Sequence, residues 1–97
     1  MSEWIQGPFE ILATSTAAVG PTTSLFSARQ IKALFTIEGA GVRWRADGTA
    51  PTSAVGGPLG TGDSLSIEGK EALCNVKFIS TAGASTASIS SQYFFKL

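Results

Sequence analysis

Apolar residues in this chain recur with a period of two, in stretches too short for long helices. Ile31, Ala33, Phe35 and Ile37 alternate with Lys32, Leu34, Thr36 and Glu38, which on a pleated strand puts one set on each face. A helix is the rival, but β-branched and aromatic residues at this spacing favour a strand. Gly39-Ala40-Gly41 then turns the chain, because two glycines supply the positive φ that tight turns require. Val42 to Ala46 follows with Val42 and Trp44 inward and Arg43 and Arg45 outward. Residues 30–46 are therefore expected to form a hairpin.

The same period returns along the chain. Pro8 and Phe9 open a strand through Phe9, Ile11 and Ala13, with Glu10, Leu12 and Thr14 on its opposite face. Gly62-Asp63 starts another, with Leu65 and Ile67 inward. Asn75 to Thr81 places Val76 and Phe78 on one face and Lys77 and Ile79 on the other. Ala82-Gly83-Ala84-Ser85 is expected to close a hairpin into a last strand, Thr86 to Lys96, with Ala87, Ile89, Tyr93 and Phe95 one way and Phe94 the other. Ser15 to Ser24 reads as a loop with an extended piece, and Ser53 to Leu59 as irregular. Gly69 to Cys74 has length for one helical turn, and Met1 to Gly7 for an arm that frays or docks Trp4 on a neighbour. About six to eight short strands between turn signals predict an all-β fold, an antiparallel β-sandwich of jelly-roll or Ig-like type. The chain is one domain: residues 1–29 give an N-terminal arm and first strand, residues 30–97 the sandwich body.

Charge narrows the partners. Lys plus Arg and Asp plus Glu each total seven in 97 residues, so no basic excess points to nucleic acid or to an anionic membrane surface. A neutral chain also lacks the repulsion that keeps copies apart, which favours self-association. No run approaches the ~18 apolar residues of a membrane helix. The start, Met1-Ser2-Glu3-Trp4, lacks the basic and apolar regions of a signal peptide, so synthesis in a cytoplasm is expected. Cys74 is the single cysteine; no intrachain disulfide can form, and a buried thiol packing as a small apolar residue is expected.

The chemistry of catalysis is thin. With no histidine, Ser-His-Asp and Cys-His arrangements and the usual zinc sites have no members. Glu38, Asp47, Asp63, Glu68 and Glu71 could form carboxylate pairs, but a sandwich of this size offers little wall for a cleft. Gly56-Gly57-Pro58-Leu59-Gly60 lacks the Lys-Ser/Thr of a phosphate loop. Asp47 and Asp63 are expected to cap turns by accepting backbone N–H bonds. No catalytic residue, metal site or cofactor is therefore expected. Trp44 between Arg43 and Arg45 could mark a sugar or nucleic-acid platform, but strand geometry turns Trp44 toward the core and leaves the arginines for solvent or an interface. Leu34, Ile79 and Phe94 fall on outward faces, and Trp4 and Phe26 on unassigned segments. Together with Arg43 and Arg45 they are the candidate residues of a protein–protein interface.

One resemblance is carried by Val42-Arg43-Trp44-Arg45-Ala46-Asp47-Gly48-Thr49-Ala50-Pro51-Thr52, then Leu59, Gly62-Asp63-Ser64-Leu65 and Ile67-Glu68. Asn75 to Ile79 and the aromatic-ended strand at Tyr93-Phe94 complete it. Over roughly residues 30–95 the chain resembles small structural proteins of tailed bacteriophages. That resemblance implies a β-sandwich virion protein without catalytic residues. It would be a capsid cement or decoration protein, or a head–tail or tail accessory, located on the capsid surface or tail. Its partners would be the major capsid protein or a neighbouring virion protein, and its own state a homotrimer. The shorter run Asp47 to Thr52 is similar to a turn in Ig-like domains appended to chitin- and hexosamine-degrading enzymes. The alternative function is a carbohydrate- or receptor-binding module of a tail or fibre, with Trp44 or Tyr93 as its stacking surface.

Overall fold

Ile31, Ala33, Phe35 and Ile37 are all buried, while Leu34 and Glu38 on the other face are exposed, so strand β2 (Ile31–Glu38) follows its alternation to the residue. The computed structural model describes residues 4–26, 30–81 and 85–96. Its other elements are β1 (Trp4–Thr14), a 3-10 turn (Thr23–Leu25), β3 (Val42–Arg45), β4 (Gly57–Leu59), β5 (Ser64–Glu68), α1 (Lys70–Asn75), β6 (Lys77–Ser80) and β7 (Ala87–Lys96). The strands form two antiparallel sheets, one ordered β1-β7-β2-β5 and one ordered β4-β3-β6. The expected all-β sandwich is the observed one.

The inner faces of the two sheets meet over an aromatic core. Phe35 of the large sheet and Phe78 of the small one are both fully buried, their rings edge-on at 5.0 Å. Phe35 also lies edge-on to Tyr93 at 6.4 Å. Ile37, Val42 and Ile89 fill the space around them. Edge-to-face contact adds to the area these rings remove from water. Three polar side chains are buried with them, and each has a partner: the hydroxyls of Thr14, Ser80 and Ser91 donate to the carbonyls of Ala17, Ser85 and Ile89. Leu73, fully buried on α1, plugs the end of the sandwich where the chain passes from β5 to β6.

Several expectations require correction. β2 and β3 do not form a hairpin. They belong to different sheets, and the Gly39 corner carries the chain across the core rather than back alongside. Gly39 has φ 84°, and a Cβ there would lie 2.9 Å from the Thr86 carbonyl oxygen, so only glycine fits this corner without strain. β6 and β7 likewise sit in opposite sheets, so they are not hairpin partners; of the expected connecting turn, residues 82–84 lie outside the described residues. The first strand begins at Trp4, not Phe9, and most of the expected arm is thereby part of β1. A shift in register between Gln6 and Phe9 accommodates Gly7 and Pro8, as Pro in a strand requires at an edge or bulge. The segment expected to be irregular, Ser53 to Leu59, contains β4, which pairs with β3. The extended piece expected within 15–24 is a bridge between Val19 and Phe78, with N–H···O distances of 2.8 and 2.7 Å. Cys74 is exposed, because α1 turns Leu73 inward and its neighbour outward.

Candidate functional site

The outer face of the four-stranded sheet is built by register. Phe9 pairs with Gln92, Gln92 with Leu34, and Leu34 with Ser66. One step along, Ile11, Ser90, Thr36 and Ser64 make the next row, and beyond it lie Ala13, Ser88 and Glu38. On the other side come Phe94, Lys32 and Glu68. Because side chains alternate across a strand, all of these share the face turned away from the core. Phe9, Ile11 and Leu34 are 56%, 62% and 43% exposed. Large apolar side chains gathered on one open sheet face mark a contact surface better than scattered ones do.

At one end of this face two lysines, Lys32 and Lys96, stand in and beside the row that also holds Glu68. The Lys32 ammonium sits 4.7 Å from the Trp4 ring centroid and 5.5 Å from that of Phe94, and the Lys96 ammonium 5.9 Å from Trp4. Cation–π contact holds the ammonium groups of Lys32 and Lys96 against these rings. A shallow depression of about 270 Å³ lies there, lined by Lys32, Ala33, Leu34, Ser66 and Phe94. At the other end is Glu38, which accepts a long bond from the Ser90 hydroxyl at 3.4 Å. Between the ends the face also carries the hydroxyls of Ser66, Ser90 and Thr36.

The edge strand is held by polar ties from the interior. Gln92 Nε2 donates to the carbonyls of Gly7 (3.0 Å) and Pro8 (3.2 Å), satisfying the bulge. The fully buried Tyr93 hydroxyl donates a short bond to the Glu10 carboxylate, which also accepts from the Thr22 N–H and hydroxyl. Burial works to raise the Glu10 carboxyl, but the bonds from Tyr93 and Thr22 outweigh it and hold the group below its ordinary range. Burial first, and then the bond to Glu10, push the Tyr93 phenol well above its ordinary value.

The expected interface residues divide into three groups. Trp4, Leu34 and Phe94 come together on the face just described. Arg43, Arg45 and Ile79 share the outer face of the other sheet with Lys77 and Pro58. There the arginines engage their own chain: Arg43 donates to the carbonyls of Ser53 (3.1 Å) and Gly56 (3.0 Å), and Arg45 pairs with Asp47. That bond to Arg45 holds the Asp47 carboxyl below its ordinary range, and Asp47 also accepts from the Thr49 N–H, as a turn cap does. Asp63 caps its turn by accepting from the Gly60 N–H at 2.7 Å. Phe26 is a correction. It is 6% exposed and packs edge-on to Tyr93 at 5.2 Å, so it is core and offers no contact surface.

Phe9 and Ile11 were missed as surface residues. β1 carries apolar residues on both faces, and the sequence of one strand does not say which face meets the core. The stacking-platform expectation also needs correction. Trp44 lies on the inner face, its indole so close to Gly57 that a Cβ there would meet Nε1 at 2.7 Å, and Tyr93 is fully buried. The Tyr93 ring is closed to a sugar, and Trp44 is partly buried against the core. Asp47, Glu68 and Glu71 line a second, open hollow. Among the described residues no three His, Cys, Asp or Glu side chains converge on a metal position, and no helix is long and apolar enough to cross a membrane.

No protein-family model matches the chain, and no curated protein does. Among solved structures it is similar to a chain described in the words "Bacillus endospore appendages form a novel family of disulfide-linked pili". The TM-score is 0.52 at 15% identity, over 97% of this chain and 88% of that one. At that identity the likeness is one of fold.

Proposed function

We propose that this chain is a non-enzymatic structural subunit, built into a larger protein assembly through its outer sheet faces. The observation that carries this reading is the outer face of the four-stranded sheet, where Phe9, Ile11 and Leu34 stand open. Water released from such a face favours docking onto another protein surface. The sandwich shape shared with an appendage chain supports an assembly role, and the residues from Val42 to Phe94 that resemble phage structural proteins support a virion as its place. In its finest form the proposal is a capsid cement protein bound to the major capsid protein, adding contacts across subunit junctions and so stabilising the assembled shell.

A pilus held by disulfides is the weaker form of the same proposal. Propagating such a polymer through disulfides alone takes two thiols per subunit, and this sequence has one, Cys74.

The test is co-sedimentation of the purified protein with expanded shells of the virus that encodes it, alongside the shells' melting temperature. Pelleting in a fixed ratio with a raised melting temperature is expected. Protein left in the supernatant, with shells that melt unchanged, would sink the cement form.

A further inference from the structure

We infer that the outer face of the four-stranded sheet is covered by a second copy of this chain, face to face across a twofold axis. This deepens the structural-subunit reading and rests on it. The axis lies in the interface, perpendicular to the strands, between the row of Phe9 and Leu34 and the row of Ile11 and Thr36. Such an axis keeps each strand over its own copy and reverses the order of the rows. Phe9 then sits over Ile11 of the second copy, Leu34 over Thr36, and Lys32 over Glu38, each contact made twice, as isologous symmetry requires.

The register makes these coincidences simultaneous. Lys32 and Glu38 lie one row outside the central pair on opposite sides, so the axis that stacks Phe9 on Ile11 also brings opposite charges together. The other in-plane twofold, run along β2, would set Lys32 against Lys32 and Glu38 against Glu38, which like-charge repulsion disfavours; run between β7 and β2, it would set Lys32 over Phe94 and Glu38 over Ser88 and bring no opposite charges together. Lys32 stands opposite Glu68 in the register, but neither Lys32 nor Glu38 takes part in the salt bridge found among the described residues, Arg45–Asp47. Ser64, Ser66, Ser88 and Ser90 raise no bulk on the face, so a second sheet can approach to the usual ~10 Å of stacked sheets. Zero net charge removes long-range repulsion between copies. A pair made this way is a dimer, and a trimer would need other surfaces.

The experiment is sedimentation equilibrium of the wild type, Lys32→Glu, Glu38→Lys, the double swap and Ile11→Asp, each checked for its fold by circular dichroism. A wild-type dimer is expected. Each single charge reversal should weaken it about tenfold, and the double swap should restore it to within about threefold. Ile11→Asp should leave folded monomer. Ile11 is 62% exposed, so the fold survives the change. A monomer at every concentration, a trimer, or a dimer indifferent to both Ile11→Asp and the charge swap would overturn the twofold pair. Shell pelleting separates the two claims: a wild type that pellets with shells but stays monomeric in solution leaves the subunit reading standing and removes the pair.

Discussion

Tyr93 and Glu10 join the core to the edge of the large sheet through one short hydrogen bond, from a fully buried phenol to a carboxylate on β1. Thr22 donates to the same carboxylate twice, so the loop after β1 is tied at the same point. The folded Glu10 carboxyl ionises below its ordinary 4.5. Its contribution to stability is complete above that value and is lost as the pH falls through the folded one. Tyr93 acts at the other limit. Its folded phenol stays protonated above the ordinary 10.0, so stability declines as the pH rises past 10 and the unfolded phenol ionises. Tyr93→Phe should cost about 1–2 kcal/mol at pH 7 and flatten the alkaline decline in a melting series over pH. A variant melting curve superimposable on the wild type at pH 7 and pH 11 would contradict the tie.

Phe78→Ala should be among the most damaging single changes. It removes the ring that meets Phe35 between the sheets and leaves a cavity lined by β2 and β7. A loss of about 3–5 kcal/mol is expected, read from urea unfolding at constant m-value. A loss under about 1 kcal/mol would mean that the sheets do not close on this pair.

Cys74 should react in the folded protein. A thiol reagent is expected to label one group per chain at a rate within a fewfold of the urea-unfolded control, because the side chain is exposed on α1. Strong protection that vanishes in urea would place it in the core after all.

Much of the fold was legible in the alternation, and the failures have physical causes. β2 and β7 could be read because each buries one face continuously and their apolar and small residues keep strict phase. Which strands pair could not be read. The glycine corner at Gly39 serves a hairpin and a crossing between sheets equally well, and the choice is made by partners far along the chain. β4 is Gly57-Pro58-Leu59, three residues with the strand-breaking composition of a turn, ordered only by pairing with β3. Phe26 has no periodic neighbours to place it, and only the fold shows it against Tyr93. Half of the candidate face was visible as Leu34 and Phe94 out of phase with the core. The other half, Phe9 and Ile11, was hidden because Leu12 and Thr14, on the opposite face of the same strand, take the core positions.

Phe94→Ser separates surface from core directly. Phe94 is half-buried on the outer face, under the Lys32 ammonium, so the change should cost about 1 kcal/mol or less in stability while weakening self-association. Unfolding of the variant at room temperature would show the ring to be part of the core.

The central claim, that this chain works by joining its own sheet face to another, is tested most directly by solution mass. Light scattering over a concentration series of the wild type should rise from the mass of one chain toward twice that mass, and the Ile11→Asp protein, equally folded, should stay at one. A wild type that scatters as a single chain at every concentration, or an Ile11→Asp protein that associates just as well, would contradict it.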